Sequence, residues 1–265
     1  MTNADTKLNL AAVLIKPRWR AAWRYLKWAD NIFKWRLSRA SCPSCKSKMF
    51  ISLRPDAFMT RCIGCGANIT NLSLIPVIES HRKLYPIDSV WEMSTYGSTL
   101  KFLKDNFPII IESEYFPNYS SGEYIDNILN QDVQNLSFAD ESLDLITSNQ
   151  VFEHVPDDIK GYKECYRVLK NNGALIFTVP LFNIPQTEQL ATIVNNETIY
   201  FSEPEYHDSR ATGPNSVLTF WHHSIQDICN RVEEAGFNAR LVDITLAPSQ
   251  KIPTKVIYAI KQTPT

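Results

Sequence analysis

No apolar run in the 265 residues reaches the roughly 18–20 needed to span a bilayer. The opening MTNADTK has none of the charged-then-apolar layout of a secretory signal, and these two absences lead to the expectation of a cytoplasmic protein. Net charge is nearly absent as well: 27 Lys and Arg against 28 Asp and Glu leave −1. That balance argues against a chain devoted to a polyanionic partner. Internal repeats and low-complexity tracts are missing too, which removes solenoids and linker-like chains. What remains is an ordinary globular composition, long enough for one full α/β core and a small appendage.

The near-neutral total hides an asymmetry. Residues 1–40 hold nine Lys and Arg against two Asp, whereas the remainder holds eighteen against twenty-six acidic residues. Residues 11–40 read as a helical arm starting near Pro17, with Trp19, Trp23 and Leu26 at i, i+4 and i+7 on one face. Trp28 and Trp35 follow among further Arg and Lys. Three uses are open for this arm: docking on the body, peripheral contact with a membrane surface, and single-strand nucleic acid. Nucleic acid is the least favoured and is not expected as a partner.

Cys42-Pro43-Ser44-Cys45 and Cys62-Ile63-Gly64-Cys65 make two C-x2-C pairs sixteen residues apart. Each pair turns tightly enough for its sulfurs to converge, and four thiolates can wrap a tetrahedral Zn²⁺. With all four positions Cys, no coordination site stays open for chemistry, so the expected metal is structural. The pattern resembles a zinc ribbon over residues 41–70, with short strands near 49–53 and 57–61. Cys165 and Cys229 stand apart and read as buried thiols.

Residues 130–180 carry the densest pattern. A β-favouring run at 143–148 precedes a helical pattern at 157–170, which Asn171-Asn172-Gly173 is expected to stop. Residues 174–179 are nearly continuous apolar sequence, as in a strand covered on both faces. The unit is a β-α-β crossover of a parallel sheet.

The ordered series Asp132, Leu136, Phe138, Leu143-Asp144-Leu145-Ile146, Glu153-His154-Val155, Tyr166-Arg167-Val168-Leu169-Lys170 and Gly173 resembles the class I methyltransferases that use S-adenosylmethionine (SAM). The resemblance implies an α/β, Rossmann-like seven-stranded sheet over residues 71–265, behind a small N-terminal zinc-binding module and the basic arm of residues 1–40. A linking helix is expected over 70–85 and a strand over 108–113. A helix at 225–235 and a hairpin of 239–245 with 255–261 close the chain, its last strand inserting antiparallel.

The same resemblance assigns candidate cofactor contacts. Glu92 stands at the acidic position before the turn that usually reads Gly-x-Gly-x-Gly. Here Ser94, Tyr96 and Ser98 stand where glycines belong, and only Gly97 remains, one place out of register. Ser94 and Gly97 would then give the clearance that glycines normally give. Glu114 would accept from both ribose hydroxyls, since a carboxylate has two acceptor oxygens and no competing donor; Glu112 is the alternative. Asp132, with Val133 after it, would meet the adenine, and Asn149 and Gln150 would face the methionine end. Asp144 reads as structural.

His154 is a candidate proton acceptor for an acceptor hydroxyl, with its neighbour Glu153 also facing the acceptor. Residues 181–223 form an aromatic-rich insertion expected to cover the acceptor, and its His207 and His222 are alternative bases. His222-His223 lacks a third recognisable ligand, so no catalytic metal is expected. The implied activity is methyl transfer to O or N of a small-molecule or carbohydrate acceptor, such as a surface glycan. The rival reading is a methyltransferase fold that has lost SAM and serves as a scaffold through its zinc module and arm.

Overall fold

The computed structural model describes residues 35–53, 57–195, 197–209 and 213–262. Most of the expected arm, and with it the expected membrane contact of residues 11–40, lies outside the described residues. Three short antiparallel strands, β1 (Arg36–Arg39), β2 (Met49–Ser52) and β3 (Thr60–Cys62), build the cysteine module. β1 is a correction to the helical reading of residues 36–39. It pairs with β2 from Arg36 against Ser52 to Arg39 against Met49. A two-stranded hairpin is marginal alone and leaves an unpaired edge, and this segment supplies the third strand. The module therefore begins at Arg36 instead of residue 41.

Asn68 caps α1 (Ile69–Arg82), its side chain accepting from Asn71 N at 2.9 Å. Cys42, Phe50 and Cys62 share one core cluster with Ile69, Leu72 and Ile75 of that helix. The Ser38 and Ser52 hydroxyls also bond Ser249 Oγ at 2.9 and 2.7 Å. The module is thus continuous with the body.

The chain continues through β4 (Ser89–Glu92), α2 (Ser98–Asn106), β5 (Ile109–Glu114), β6 (Tyr124–Ile125), β7 (Ile128–Asn130), β8 (Leu143–Asn149), α3 (Asp158–Val168) and β9 (Leu169–Thr178). The described residues of the insertion form short strands: β10 (Leu181–Phe182), β11 (Glu188–Gln189), β12 (Ala191–Val194), β13 (Glu197–Tyr200), β14 (Tyr206–Ser209), β15 (Gly213–Leu218) and β16 (Trp221–Ser224). α4 (Ile228–Glu233), β17 (Asn238–Ile244) and β18 (Thr254–Ile260) complete the fold.

The central sheet runs β17-β18-β9-β8-β4-β5-β7-β6. Strands β9, β8, β4, β5 and β7 are parallel, and β18 inserts antiparallel between β9 and β17. There are eight strands where seven are expected, because the two-residue β6 folds back antiparallel on β7. Neighbouring residues of each strand point to opposite faces: Val90, Leu145 and Ile176 pack with α1, and Trp91, Ile146 and Phe177 pack in the cluster of α3 and α4.

One local expectation fails instructively. Asn171-Asn172-Gly173 does not cap a helix; α3 has already ended at Val168 and Leu169 pairs with Leu143. The three residues form a bulge, with Asn172 at φ 64° and the register jumping before Leu145 meets Ala174. A Cβ on Gly173 would lie 2.9 Å from Lys170 O and 3.0 Å from Asp144 O. Glycine is there for close approach of backbone, not for helix termination.

Candidate functional site

The carboxyl ends of β4, β5, β7 and β8 share one rim, where open parallel sheets take ligands. Asp144 holds the opposite end together. Its Oδ2 accepts from Asp88 N, Ser89 N and Ser89 Oγ at 3.0, 2.9 and 2.8 Å, and its Oδ1 pairs with Lys170 at 2.8 Å. Arg167 has a similar task, bonding Glu164, Asp140 and the carbonyls of Leu136 and Phe138. These residues of the motif series are therefore structural.

At the rim, the turn after β4 is built from hydroxyls where glycines are usual. Glu92 is 1% exposed and has both oxygens occupied: Ser94 Oγ lies 2.9 Å from Oε1, and Thr147 Oγ1 bonds Oε2. Burial pushes this carboxyl up to about 7. Ser94 Oγ also lies 3.1 Å from Tyr96 O. Gly97 then reverses the chain at φ 109° and caps α2, and a Cβ there would come no nearer than 3.7 Å to another group.

Glu114, at the end of β5, is held from the same turn. Its Oε1 accepts from Thr95 N at 2.9 Å and from Thr95 Oγ1 at 2.7 Å. Burial raises its pKa, against the opposing pull of those two bonds. Glu112 is drawn away by Lys104 at 2.6 Å. Asp132 follows β7, with Oδ1 accepting from Gln134 N at 2.9 Å. Val133 is buried and packs on α3, against Gly161.

Asn149 ends β8, with Nδ2 donating to Thr99 Oγ1 and Oδ1 accepting from Thr178 Oγ1, both at 3.2 Å. Gln150 takes φ 56°, and its backbone N–H donates to Thr178 O at 2.8 Å. The chain thereby turns sharply into the 3-10 segment Phe152–His154.

The insertion docks on that segment. Phe220 N donates to Glu153 O at 2.8 Å and Trp221 Nε1 to Val155 O at 2.8 Å. Asp158, fully buried, accepts from His223 Nε2 at 3.0 Å and from Arg231 at 2.7 Å, fixing β16 and α4 to the start of α3.

Of the three candidate histidines, the fold brings two together. His154 Nδ1 lies 2.8 Å from Leu218 O, and its Nε2 lies 3.2 Å from His207 Nδ1. His207 Nε2 lies 3.0 Å from Glu205 Oε1. His222 stays apart from the pair: its Nε2 bonds the other oxygen of Glu205 at 2.8 Å, and its ring stacks on Phe182. Burial drives the His154 imidazole down to about 4, so it is neutral near pH 7. Glu153 is wholly buried, and neither of its carboxylate oxygens has a hydrogen-bond partner among the described residues. Burial pushes it up to about 8.

The four module cysteines also converge. Cys42 Sγ to Cys65 Sγ is 3.8 Å, Cys45 Sγ to Cys62 Sγ is 3.5 Å, and all four sulfurs lie within 4.8 Å of one another. Zn–S bonds of about 2.3 Å in a tetrahedron put sulfurs about 3.8 Å apart, so the donor set fits Zn²⁺.

Sequence reasoning missed two residues that organise the rim, Thr95 and Glu205. Thr95 carries no motif signal. Glu205 stands two residues before His207, a spacing that returns to the same side of an extended chain, and that signal was available. Among the described residues no helix is long and apolar enough to cross a membrane.

Two family models, each described as a methyltransferase domain, match residues 62–177 and 126–244. No curated protein matches the chain. Similar solved structures include the complex of the Haloferax volcanii Trm112 methyltransferase activator with a methyltransferase, at 16% identity over 71% of this chain and 89% of that one, TM-score 0.46. A SAM-dependent methyltransferase from Mesorhizobium loti is similar at 12% identity over 71% and 98%, TM-score 0.46. The Burkholderia thailandensis 1,6-didemethyltoxoflavin-N1-methyltransferase, with 1,6-didemethyltoxoflavin and S-adenosylhomocysteine bound, is similar at 11% identity over 72% and 79%, TM-score 0.44.

Proposed function

The chain belongs to the class I SAM-dependent methyltransferases, and on that premise we propose that it methylates O or N of a small-molecule or carbohydrate acceptor lying against the His154–His207 pair. The observation that carries this reading is that one rim offers both a held carboxylate, Glu114, and, past the end of β8, a pair of facing imidazoles.

The donor set fits SAM. Glu114 has Oε1 fixed by Thr95, which leaves Oε2 for the ribose hydroxyls. Asp132, beside Val133, suits the adenine end, and Asn149 and Gln150 suit the methionine end. Glu92, enclosed by Ser94 and Thr147, acts from inside the turn and positions Ser94 in place of touching a ligand. SAM supplies a methyl group already activated as a sulfonium substituent. The protein's share is alignment and exclusion of water. The insertion docked on the segment Phe152–His154 serves the second task.

The His154 and His207 imidazoles give the acceptor side a polar wall, which favours a polar nucleophile. Cys42, Cys45, Cys62 and Cys65 hold a structural Zn²⁺ that completes a three-stranded unit too small for its own core. The tryptophan-rich basic residues 11–40 suit a headgroup surface, in keeping with a lipid-linked glycan as acceptor.

Titration calorimetry of the full chain with SAM and with S-adenosylhomocysteine tests the cofactor half of this reading. Binding of both near one equivalent is expected, and heat from neither would end it. Radiolabelled-methyl transfer to a panel of small alcohols, amines and sugars then tests the acceptor class.

A further inference from the structure

Three polar groups beside the 3-10 segment Phe152–His154 have no use for one another as they stand. His154 Nδ1 faces the carbonyl of Leu218 at 2.8 Å, and a carbonyl only accepts, so Nδ1 carries the proton and Nε2 is bare. His207 Nε2 faces the Glu205 carboxylate at 3.0 Å, which fixes a proton there and, in the neutral ring, leaves Nδ1 bare. The two bare nitrogens nevertheless point at each other across 3.2 Å. Two lone pairs do not attract; something positive belongs between them.

The third group makes the same demand. Glu153 is wholly buried with both oxygens unpartnered among the described residues, and its Oε1 lies 3.8 Å from His154 Nε2. A buried carboxyl without partners either keeps its proton or meets a cation, and the two bare nitrogens beside it favour the cation. One ligand atom from each of Glu153, His154 and His207 falls within a 4.8 Å span. Tetrahedral bonds of about 2.0–2.1 Å put ligand nitrogens about 3.3 Å apart, close to the separation observed.

We propose that Glu153, His154 and His207 bind a divalent transition-metal ion, Zn²⁺ by preference, as a second metal site distinct from the four cysteines. Imidazole and carboxylate ligands suit zinc and its neighbours. The outward bonds of the two rings, to the Leu218 carbonyl and the Glu205 carboxylate, are the supports that ligating histidines use to fix their tautomers. Glu205 also accepts from His222, and so sits as a hub that steadies the exposed side of the site. Sequence alone argues against this centre, because its third ligand comes from the insertion, more than fifty residues from the other two.

Three protein ligands leave one tetrahedral position open, the arrangement of zinc sites that take substrate. This part rests on the acceptor lying against the histidine pair. An acceptor oxygen in the open position would be polarised, so that a hydroxyl gives its proton to solvent as its oxygen forms the new O–C bond. The C–S bond breaks, and its electron pair stays on sulfur. The site thereby selects acceptors with an oxygen donor over simple amines.

Metal analysis of the chelator-stripped, zinc-reloaded full chain tests the proposal. Two equivalents of zinc are expected for the wild type and one for His207→Ala and for Glu153→Gln. Cobalt substitution reports the cysteine site separately, through thiolate-to-metal charge-transfer absorption that imidazole and carboxylate cannot produce. That band should persist in His207→Ala, whose change is on a partly exposed hairpin, and it certifies the fold. One equivalent in the wild type, with a proton shared by the histidines instead, overturns the proposal. Two equivalents retained by His207→Ala overturn it as well. Calorimetry with SAM on the same samples separates this claim from the cofactor reading, because cofactor binding does not depend on these ligands.

Discussion

Thr95 holds the Glu114 carboxylate twice, through its backbone amide at 2.9 Å and its hydroxyl at 2.7 Å, both on Oε1. The bond joins the turn after β4 to the tip of β5. In the proposed reading, a β-branched residue of a turn short of glycines fixes the acidic side chain that would take the ribose. Replacing Glu114 with Ala should weaken SAM binding by roughly 1–3 kcal/mol, the cost of losing hydrogen bonds to a charged group. Thr95→Val removes only the hydroxyl bond and should cost about 1 kcal/mol. Calorimetric affinities check both, and an unchanged value for Glu114→Ala moves the ribose contact elsewhere.

Glu92 makes a prediction in pH. Burial pushes its folded pKa up to about 7, whereas an unfolded Glu titrates near about 4.3. The folded state therefore binds the proton more tightly, and that contribution is complete below the unfolded value. It is lost as pH rises through the folded one. Glu92→Gln cannot ionise, and its amide can still bond Ser94 and Thr147. The stability of the variant relative to wild type should climb from about pH 4 to about pH 7 and then level off. Paired denaturation curves measure it; a flat difference means that Glu92 titrates as it would in water.

The parts of this fold legible in the sequence are those written in local periodicity. The strand of Leu145 and Ile146, the cysteine pairs and the closing hairpin all declare themselves by burial on both faces or by spacing. What stayed hidden depends on partners distant in the chain. Residues 36–39 look basic and helical until β2 offers them an edge. Asn171-Asn172-Gly173 carries the composition of a helix stop, yet Leu169 is claimed by Leu143 and the three residues are pushed out as a bulge. The pairing of His154 with His207 spans fifty-three positions and is set by how the insertion folds back. No local rule reports it.

The strand at Arg36–Arg39 changes how the arm should be removed. A chain beginning at residue 41 loses β1, uncovers the edge of β2 and breaks the Ser38–Ser249 bond. It should melt several degrees below a chain beginning at Arg36, whose module is whole. If the basic residues 11–40 meet a membrane, the full chain should pellet with anionic liposomes while the Arg36 chain stays in the supernatant, and salt should reverse the pelleting. Equal pelleting of the two dismisses a membrane role for the arm.

Zinc at the four cysteines should matter to folding before it matters to chemistry. Cys45 is exposed while Cys42 and Cys62 are buried among the residues of α1, so Cys45→Ser removes one ligand with little loss of packing. Three thiolates and a hydroxyl bind zinc far more weakly, and the module then contributes an unpaired cluster of thiols to a shared core. The variant should lose zinc, fall in melting temperature and become protease-sensitive near residues 40–66. The sheet rim lies outside the module, so SAM affinity in the fraction that remains folded should stay within about twofold, on the order of 0.4 kcal/mol. A zinc-free variant with wild-type melting would show that the four sulfurs gather for some reason other than the metal.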